Sequence, residues 1–393
     1  MMPNLGLYVH VPFCARKCNY CDFCSVGIGQ GDDETTGRMV DCLVKELNKA
    51  FVDRPSLKDE VSTVFIGGGT PSVLPAGQME RVLASINDAA GNSVCDSNEI
   101  EFTIECNPGT VNEEKLKLYK KYGVKRLSFG LQSVNDDELN TLGRIHTYEE
   151  FLESYMLARS VGFENINVDI MTAIPGQTKE SLCHTLDEVI SLNPEHISAY
   201  SLIIEEGTPF FDKYCDNPPI DEETDRAFFE MTHEMLTDAG YEHYEVSNYA
   251  KKGYTCRHNM NYWQRGNYIG IGPAASSHVD GVRKTNTKDL RKYMECIEAG
   301  ADPVEETESL TKEQKLTETI YLGLRKSDGI VFDDLKNVFD FDLRSKLTER
   351  TIKEEFLKLE KDGLVSLDDK RIKLSPSGWW ISDSIIARMI DLF

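Results

Sequence analysis

Four cysteines crowd into one short stretch near the start of the chain, in Val9-His-Val-Pro-Phe-Cys14-Ala-Arg-Lys-Cys18-Asn-Tyr-Cys21-Asp-Phe-Cys24. The first three stand at C-x3-C-x2-C spacing. Three thiolates so spaced can wrap one iron–sulfur cubane from a single loop. A [4Fe–4S] cluster normally takes four cysteines, so three leave one iron open. The amino and carboxylate groups of S-adenosylmethionine (SAM) fit that vacancy. An electron from the cluster would then cleave the S–C5′ bond, and the cofactor supplies that chemistry. Zinc is the rival, with Cys24 as a fourth ligand. Zinc sites usually draw two ligand pairs from separated turns, and this loop has one run. The reading is a cluster on Cys14, Cys18 and Cys21, with Cys24 outside it.

Polar residues at the ends of apolar runs extend the case. Phe65-Ile-Gly67-Gly68-Gly69-Thr70-Pro71-Ser72 brings three glycines to a strand end, where bare backbone can approach a ligand closely. Alone it reads equally well as a tight turn. Glu105 ends Thr103-Ile-Glu, Gln132 ends Phe129-Gly-Leu-Gln, and Asp169 interrupts Asn167-Val-Asp-Ile. A structural residue at such places is more often apolar. Carboxylates and amides suit ribose hydroxyls and the cofactor amine, and Arg144 suits the SAM carboxylate. Each alone reads equally well as a buried cap or salt bridge. Their shared place at strand ends favours a site.

The elements that must position them alternate. Strands are expected at Gly6–Val11, Thr63–Ile66, Glu101–Glu105, Arg126–Leu131, Asn167–Met171 and His196–Ile203. Helical periods fill Met39–Phe51, Gly77–Ala90, Asn112–Tyr122, Tyr148–Val161 and Lys179–Leu192. Strand then helix, repeated, means parallel strands with right-handed crossovers. The predicted fold class is α/β: a partial (β/α)6 TIM-type barrel over residues 1–240, with its chemistry at the C-terminal strand ends. Residues 241–310 form an aromatic-rich extension of short strands and loops, expected on the open side of the barrel. Residues 311–393 predict a winged-helix-like module, from helical stretches Lys312–Arg325, Phe332–Phe339 and Ile352–Asp362 followed by a turn of two strands up to Leu374. That module holds 15 Lys/Arg against 16 Asp/Glu. It offers no basic face, and a structural or docking role is expected.

Composition sets outer bounds. The 393 residues carry a net charge of −23, which disfavours nucleic-acid binding. No apolar run approaches the roughly 18 residues of a membrane span. Residues 1–7 lack a basic region, so no leader is expected and the cytoplasm is the expected compartment. The seven cysteines outside the loop read as small buried hydrophobes in a reducing environment.

With these motifs in hand, the sequence resembles the radical SAM, oxygen-independent coproporphyrinogen III oxidase-like family over nearly its whole length. It is nearest the HemW-type haem chaperone branch. The carrying motifs are Tyr8-Val-His-Val-Pro-Phe-Cys, Cys-x3-Cys-x-Tyr-Cys-Asp-Phe, Gly-Gly-Gly-Thr-Pro-Ser, Glu-Cys-Asn-Pro-Gly-Thr, Leu-Gly-Arg-Ile-His and Arg257-His-Asn-Met-Asn-Tyr-Trp263. The resemblance implies SAM contacts from Tyr8, Tyr20, Gly68, Gly69, Thr70, Glu105, Gln132, Arg144 and Asp169. The oxidase branch has a fourth cysteine two residues after the third, where this chain has Phe23. It also has a longer N-terminal arm. Both differences favour the chaperone branch, and haem and haem-acceptor proteins are then the implied partners, some of them membrane-bound. His258-Asn-Met-Asn-Tyr-Trp263 matches that branch's haem-associated motif, with His258 as a natural axial ligand and Tyr262 and Trp263 flanking a porphyrin. Two departures stand out. Gly272-Pro-Ala-Ala-Ser-Ser277 replaces Gly-x-Gly-Ala-His, leaving Ser276 or His278 to substitute. Thr172-Ala-Ile-Pro175 replaces His-Gly-Leu-Pro. The alternative is an enzyme: a coproporphyrinogen III oxidase, or another radical SAM reaction on a tetrapyrrole.

Overall fold

The computed structural model describes residues 5–28, 33–53, 55–90 and 99–391. Six parallel strands follow one another in the sheet in chain order: β1 (Leu5–Val11), β2 (Val61–Gly68), β3 (Glu101–Cys106), β4 (Arg126–Gln132), β5 (Asn165–Thr172) and β6 (His196–Ser201). Every residue of β4 is buried, as expected of a strand covered on both faces. Helices α1 (Asp33–Val52), α2 (Ala76–Ala89), α3 (Glu113–Lys121), α4 (Asp136–Leu142), α5 (Tyr148–Ser160), α6 (Lys179–Leu192) and α7 (Glu222–Asp238) occupy the crossovers and the return from β6. Capping boxes at Thr147/Glu150 and Thr178/Ser181 start α5 and α6. Leu7, Ile66, Phe102, Leu127, Val168 and Ile197 belong to one continuous core with the inner faces of these helices. This is the partial α/β barrel that the alternation predicts.

Residues 241–310 depart from the expected cover over the open side. Their strands extend the same sheet at both edges. Beyond β6 come β8 (Asn248–Ala250) and then β7 (Glu242–Glu245), both antiparallel to their neighbours. On the other edge β9 (Asn267–Ile271) pairs in parallel with β1, so a seventh strand joins the parallel set. Then β10 (Ser276–Val279), β11 (Val282–Asn286) and β12 (Val304–Ser309) continue antiparallel, giving twelve strands. Between the two halves lies α8 (Arg257–Trp263), a helix of seven residues too short to show a period in sequence.

The C-terminal segment has its own core, including Leu316, Ile320, Leu335, Phe356 and Trp379. A three-stranded sheet of β13 (Ile330–Val331), β14 (Val365–Leu367) and β15 (Arg371–Leu374) forms the wing. Short helices Leu343–Leu347, Pro376–Trp380 and Ser382–Ile390 accompany the expected ones. No described helix is long and apolar enough to cross a membrane. Among the described cysteines outside the N-terminal loop, Cys42, Cys106 and Cys256 are buried, as expected of small hydrophobes. Cys183 and Cys296 are only partly buried and Cys215 is exposed. Cys95 lies outside the described residues.

One crossing positions the chemistry. After β1 the chain passes directly over the glycine-rich end of β2. The Gly69 N–H donates to Val11 O at 2.9 Å and the Thr70 N–H to Phe13 O at 2.6 Å. A Cβ on Gly69 would sit 2.5 Å from Phe13 O, so only glycine fits. The two departures noted above carry backbone consequences. Ala173 (φ 58°) and Ala274 (φ 57°) lie in the left-handed region, at the places where the resembling branch carries glycine.

Opposite outcomes are expected for substitutions at these positions. Ala173→Gly and Ala274→Gly should each raise stability by about 1 kcal/mol, because an L-residue is strained there. Gly69→Ala should lower it by about 1–3 kcal/mol, the usual cost of overpacking. Denaturant midpoints measure all three.

Candidate functional site

The cysteine loop is pinned at three places. At its root the crossing just described fixes Cys14, and the Ile28 N–H donates back to Cys14 O at 2.8 Å. In the middle, Asn19 is clasped to the end of α4: its N–H donates to Leu142 O (2.9 Å) and its amide to Thr141 O (3.0 Å). At the far end His10 Nε2–H donates to Cys24 O at 2.8 Å, while the Tyr8 hydroxyl meets His10 Nδ1 at 3.0 Å. One tautomer satisfies both contacts.

Cys14, Cys18 and Cys21 all line one small cavity of about 130 Å³ at the C-terminal ends of the strands. None is in a disulfide. The Thr70 hydroxyl donates toward Cys14 Sγ and Arg144 Nη1 toward Cys18 Sγ, both at 3.6 Å. Burial, with the neighbouring Cys18 and Cys14 adding, pushes the Cys21 thiol up to about 11. Cys24 is elsewhere. Its thiol donates to Lys288 O at 3.3 Å and it lines a separate cavity of about 410 Å³ with His10, Tyr268 and Ser276. Among the described residues no three His, Cys, Asp or Glu side chains converge tightly enough for one metal ion. Three thiols at one cavity with Cys24 bonded away from it suit a cubane with one open iron, and do not make up a four-cysteine zinc set.

The remaining walls of the cavity come from the expected strand ends. Gly68, Gly69, Thr70, Tyr20, Glu105, Gln132, Arg144 and Asp169 all reach it. The Gly68 N–H donates to Glu105 Oε2 at 3.1 Å. Burial pushes the Glu105 carboxyl up to about 8, and the nearby Asp169 charge pushes the same way. Asp169 accepts from Asn167 Nδ2 at 2.7 Å, and burial raises it too. Arg144 is fully committed to protein: its Nη2 donates to Asn107 Oδ1 (2.8 Å) and Gly130 O (2.6 Å). Gln132 takes φ 74° where β4 bulges, which turns a side chain at a strand end into the site.

A larger cavity of about 490 Å³ adjoins the first across Glu105, Gln132 and Asp169. It runs down the barrel lumen to α8. Tyr8 lies here and not at the small cavity. Aromatic and apolar groups dominate its sides, among them Phe65, Met171, Tyr200 and Tyr262. Phe23 and Ile203 stand at its mouth, 62% and 68% exposed. His258 is at the far end, but not as a free ligand. Its Nδ1 bonds Thr63 Oγ1 and its Nε2 bonds the Tyr262 hydroxyl, both at 2.8 Å. Its ring stacks on Phe65. Burial, with Arg126 adding, holds it down to about 3, so it is neutral. Trp263 is likewise tied to the protein, by a hydrogen bond to Glu245. Of the proposed substitutes, Ser276 bonds Thr285 (3.0 Å) and His278 bonds Gly266 O (3.2 Å).

Sequence reasoning passed over Asn107, Ser128, Asn167 and Arg126, which also line these cavities. Arg126 had a signal: a charged residue opening the apolar run Leu-Ser-Phe-Gly-Leu.

Residues 8–189 match the model of the Radical SAM superfamily, and residues 310–381 that of the HemN C-terminal domain. The chain is 37% identical to the heme chaperone HemW of Bacillus subtilis, covering 82% of this chain and 84% of that one. It is 32% identical to the heme chaperone HemW of Lactococcus lactis over 99% and 97% of the two chains. The solved coproporphyrinogen III oxidase HemN of Escherichia coli superimposes with a TM-score of 0.80 over 99% of this chain and 89% of that chain. At 22% identity that likeness speaks for the fold. Motifs, fold and relatives agree: the chain belongs to the radical SAM superfamily, within the oxygen-independent coproporphyrinogen III oxidase-like family and its HemW branch.

Proposed function

We propose that this protein binds haem and passes it to acceptor proteins, with a [4Fe–4S] cluster on Cys14, Cys18 and Cys21 and SAM beside it. One observation carries the reading. Three thiols line one small cavity, the fourth hydrogen-bonds the Lys288 carbonyl instead, and the small cavity adjoins a lumen with aromatic sides. The cluster and SAM supply one-electron chemistry when bound. The protein's own contributions are positional. The bare backbone of Gly68–Thr70 and the side chains of Glu105, Gln132, Asp169 and Tyr20 surround the place for the cofactor, and Tyr8 stands just beyond. Arg144, locked by Asn107 and Gly130, holds a positive charge against Cys18.

The aromatic and apolar part of the lumen, with Phe65, Met171, Tyr200 and Tyr262, suits the body of a haem. The relatives' function as heme chaperones supports the same ligand. His258 reaches a haem iron only after releasing Thr63 or Tyr262, at about 1 kcal/mol for each hydrogen bond given up. The exposed Phe23 and Ile203 at the mouth give an acceptor an apolar rim to meet.

Two experiments test the reading. In anaerobically reconstituted protein, Cys14→Ala, Cys18→Ala and Cys21→Ala should each abolish the brown absorbance of the cluster, while Cys24→Ala keeps most of it. An equal loss in Cys24→Ala would place the fourth thiol among the ligands. Haem titrated into the wild-type protein should shift its Soret band saturably at about one equivalent. A Soret band identical to that of free haem would remove haem from the account.

A further inference from the structure

The two arginines near the lumen differ in one respect. Arg144, at the thiol end, has every contact described above. Arg126, first residue of β4, lies six residues from Gln132, which is roughly 20 Å along a strand. It lines the inner end of the large cavity beside His258 and Asn259. It is only 2% exposed. Among the described residues it makes no ion pair and no side-chain hydrogen bond, and its Nε is buried without a partner.

The nearby Glu101 and Asp169 act on Arg126 through space, but the hydrogen bonds they accept come from other groups. Glu101 accepts the backbone N–H groups of Arg257 and His258, each at 2.9 Å. Asp169 is held by Asn167, and Glu105 by Gly68. The imidazoles of His196 and His258 near the guanidinium are held neutral by burial, so they neither repel an anion nor replace one. An unpaired buried guanidinium is costly. A fold that only needed packing at this point would do better with an apolar side chain.

We propose that Arg126 receives a carboxylate of the lumen's ligand, so that the ligand enters with its acidic end inward and its apolar body against Phe65, Tyr262 and Met171. This rests on the haem reading, in which the carboxylate is a propionate.

The test uses cluster-reconstituted wild-type protein, Arg126→Met and Arg126→Lys. Each is titrated with haem, with haem dimethyl ester and with SAM, and the ligand-free melting temperature is recorded. A charge-assisted hydrogen bond is at stake, so Arg126→Met should bind haem at least about tenfold more weakly, and Arg126→Lys should lose less. The dimethyl ester, which lacks the charge, should bind all three proteins alike. SAM affinity should hold, and ligand-free Arg126→Met should melt no lower than wild type. Haem affinity unchanged in Arg126→Met overturns the proposal, whatever happens to SAM. So does a lower melting temperature with equal binding losses in Met and Lys variants, which marks a structural arginine. If wild-type protein binds no haem, the haem reading fails and this proposal falls with it; haem binding that is indifferent to Arg126 removes this proposal alone.

Discussion

Everything in the site is referred to one contact between two stretches of backbone. Val11–Phe13 lies across Gly69–Thr70 closely enough to hydrogen-bond twice and to exclude any side chain at Gly69. Cys14 is thereby set at a fixed height above the barrel, next to Thr70. The remaining cysteines are placed relative to it by short spans of chain, with the Asn19 clasp on α4 limiting where Cys18 and Cys21 can go. A loop held at both ends and in the middle loses little entropy when it takes up a ligand. The contact also explains the pairing of motifs in sequence. A cysteine loop after one strand and a triple glycine after the next are two sides of one crossing. Without the glycines the loop would be lifted off the rim, and the thiols with it.

Metal uptake at such a loop is coupled to protons. Burial of Cys21 beside two other thiols favours its neutral form, whereas a ligating sulfur must be a thiolate. Arg144 places a positive charge 3.6 Å from Cys18 Sγ. The guanidinium is itself buried, and its contacts with Asn107 and the Gly130 carbonyl keep it oriented. A fixed positive charge at the base of a three-thiolate loop is worth more than a mobile surface lysine would be. It costs no reorganisation when the anionic ligands form.

The sequence made the central sheet and most of the site legible because both depend on local pattern. Buried parallel strands are short apolar runs, and a Glu, Gln or Asp that breaks such a run is visible without coordinates. Glu105, Gln132, Asp169 and the glycines were found this way. The edges of the sheet were not. Val304–Ser309 reads Val-Glu-Glu-Thr-Glu-Ser and is exposed almost throughout. Only its pairing with β11 makes it a strand. Helix α8 is invisible for a related reason: seven residues carry no period, and Cys256 gives it no side-chain cap. His258 shows the limit of residue type as evidence. An imidazole in a motif looks available until its neighbours are placed, and here Thr63 from β2 takes one nitrogen and Tyr262 the other. No sequence spacing announces a contact between residues 63 and 258.

Several of the molecule's costly groups face the lumen. Gln132 is bent into the left-handed region where it borders both cavities. Arg126 sits unpaired at the inner end of the lumen. Glu105 and Asp169, between them, are buried carboxyls whose burial favours the proton. Each costs folding stability, and each faces the same continuous space. Ala173 and Ala274 are strained as well, but a glycine would relieve either one without removing a functional group. Glycine would relieve Gln132 as well, but only by removing the amide that borders both cavities, and Arg126 has no such substitute. Polar groups kept at such cost beside one cavity are what a ligand site requires. The lumen, more than the thiol loop that it shares with a whole superfamily, is therefore where this protein's own specificity has to lie.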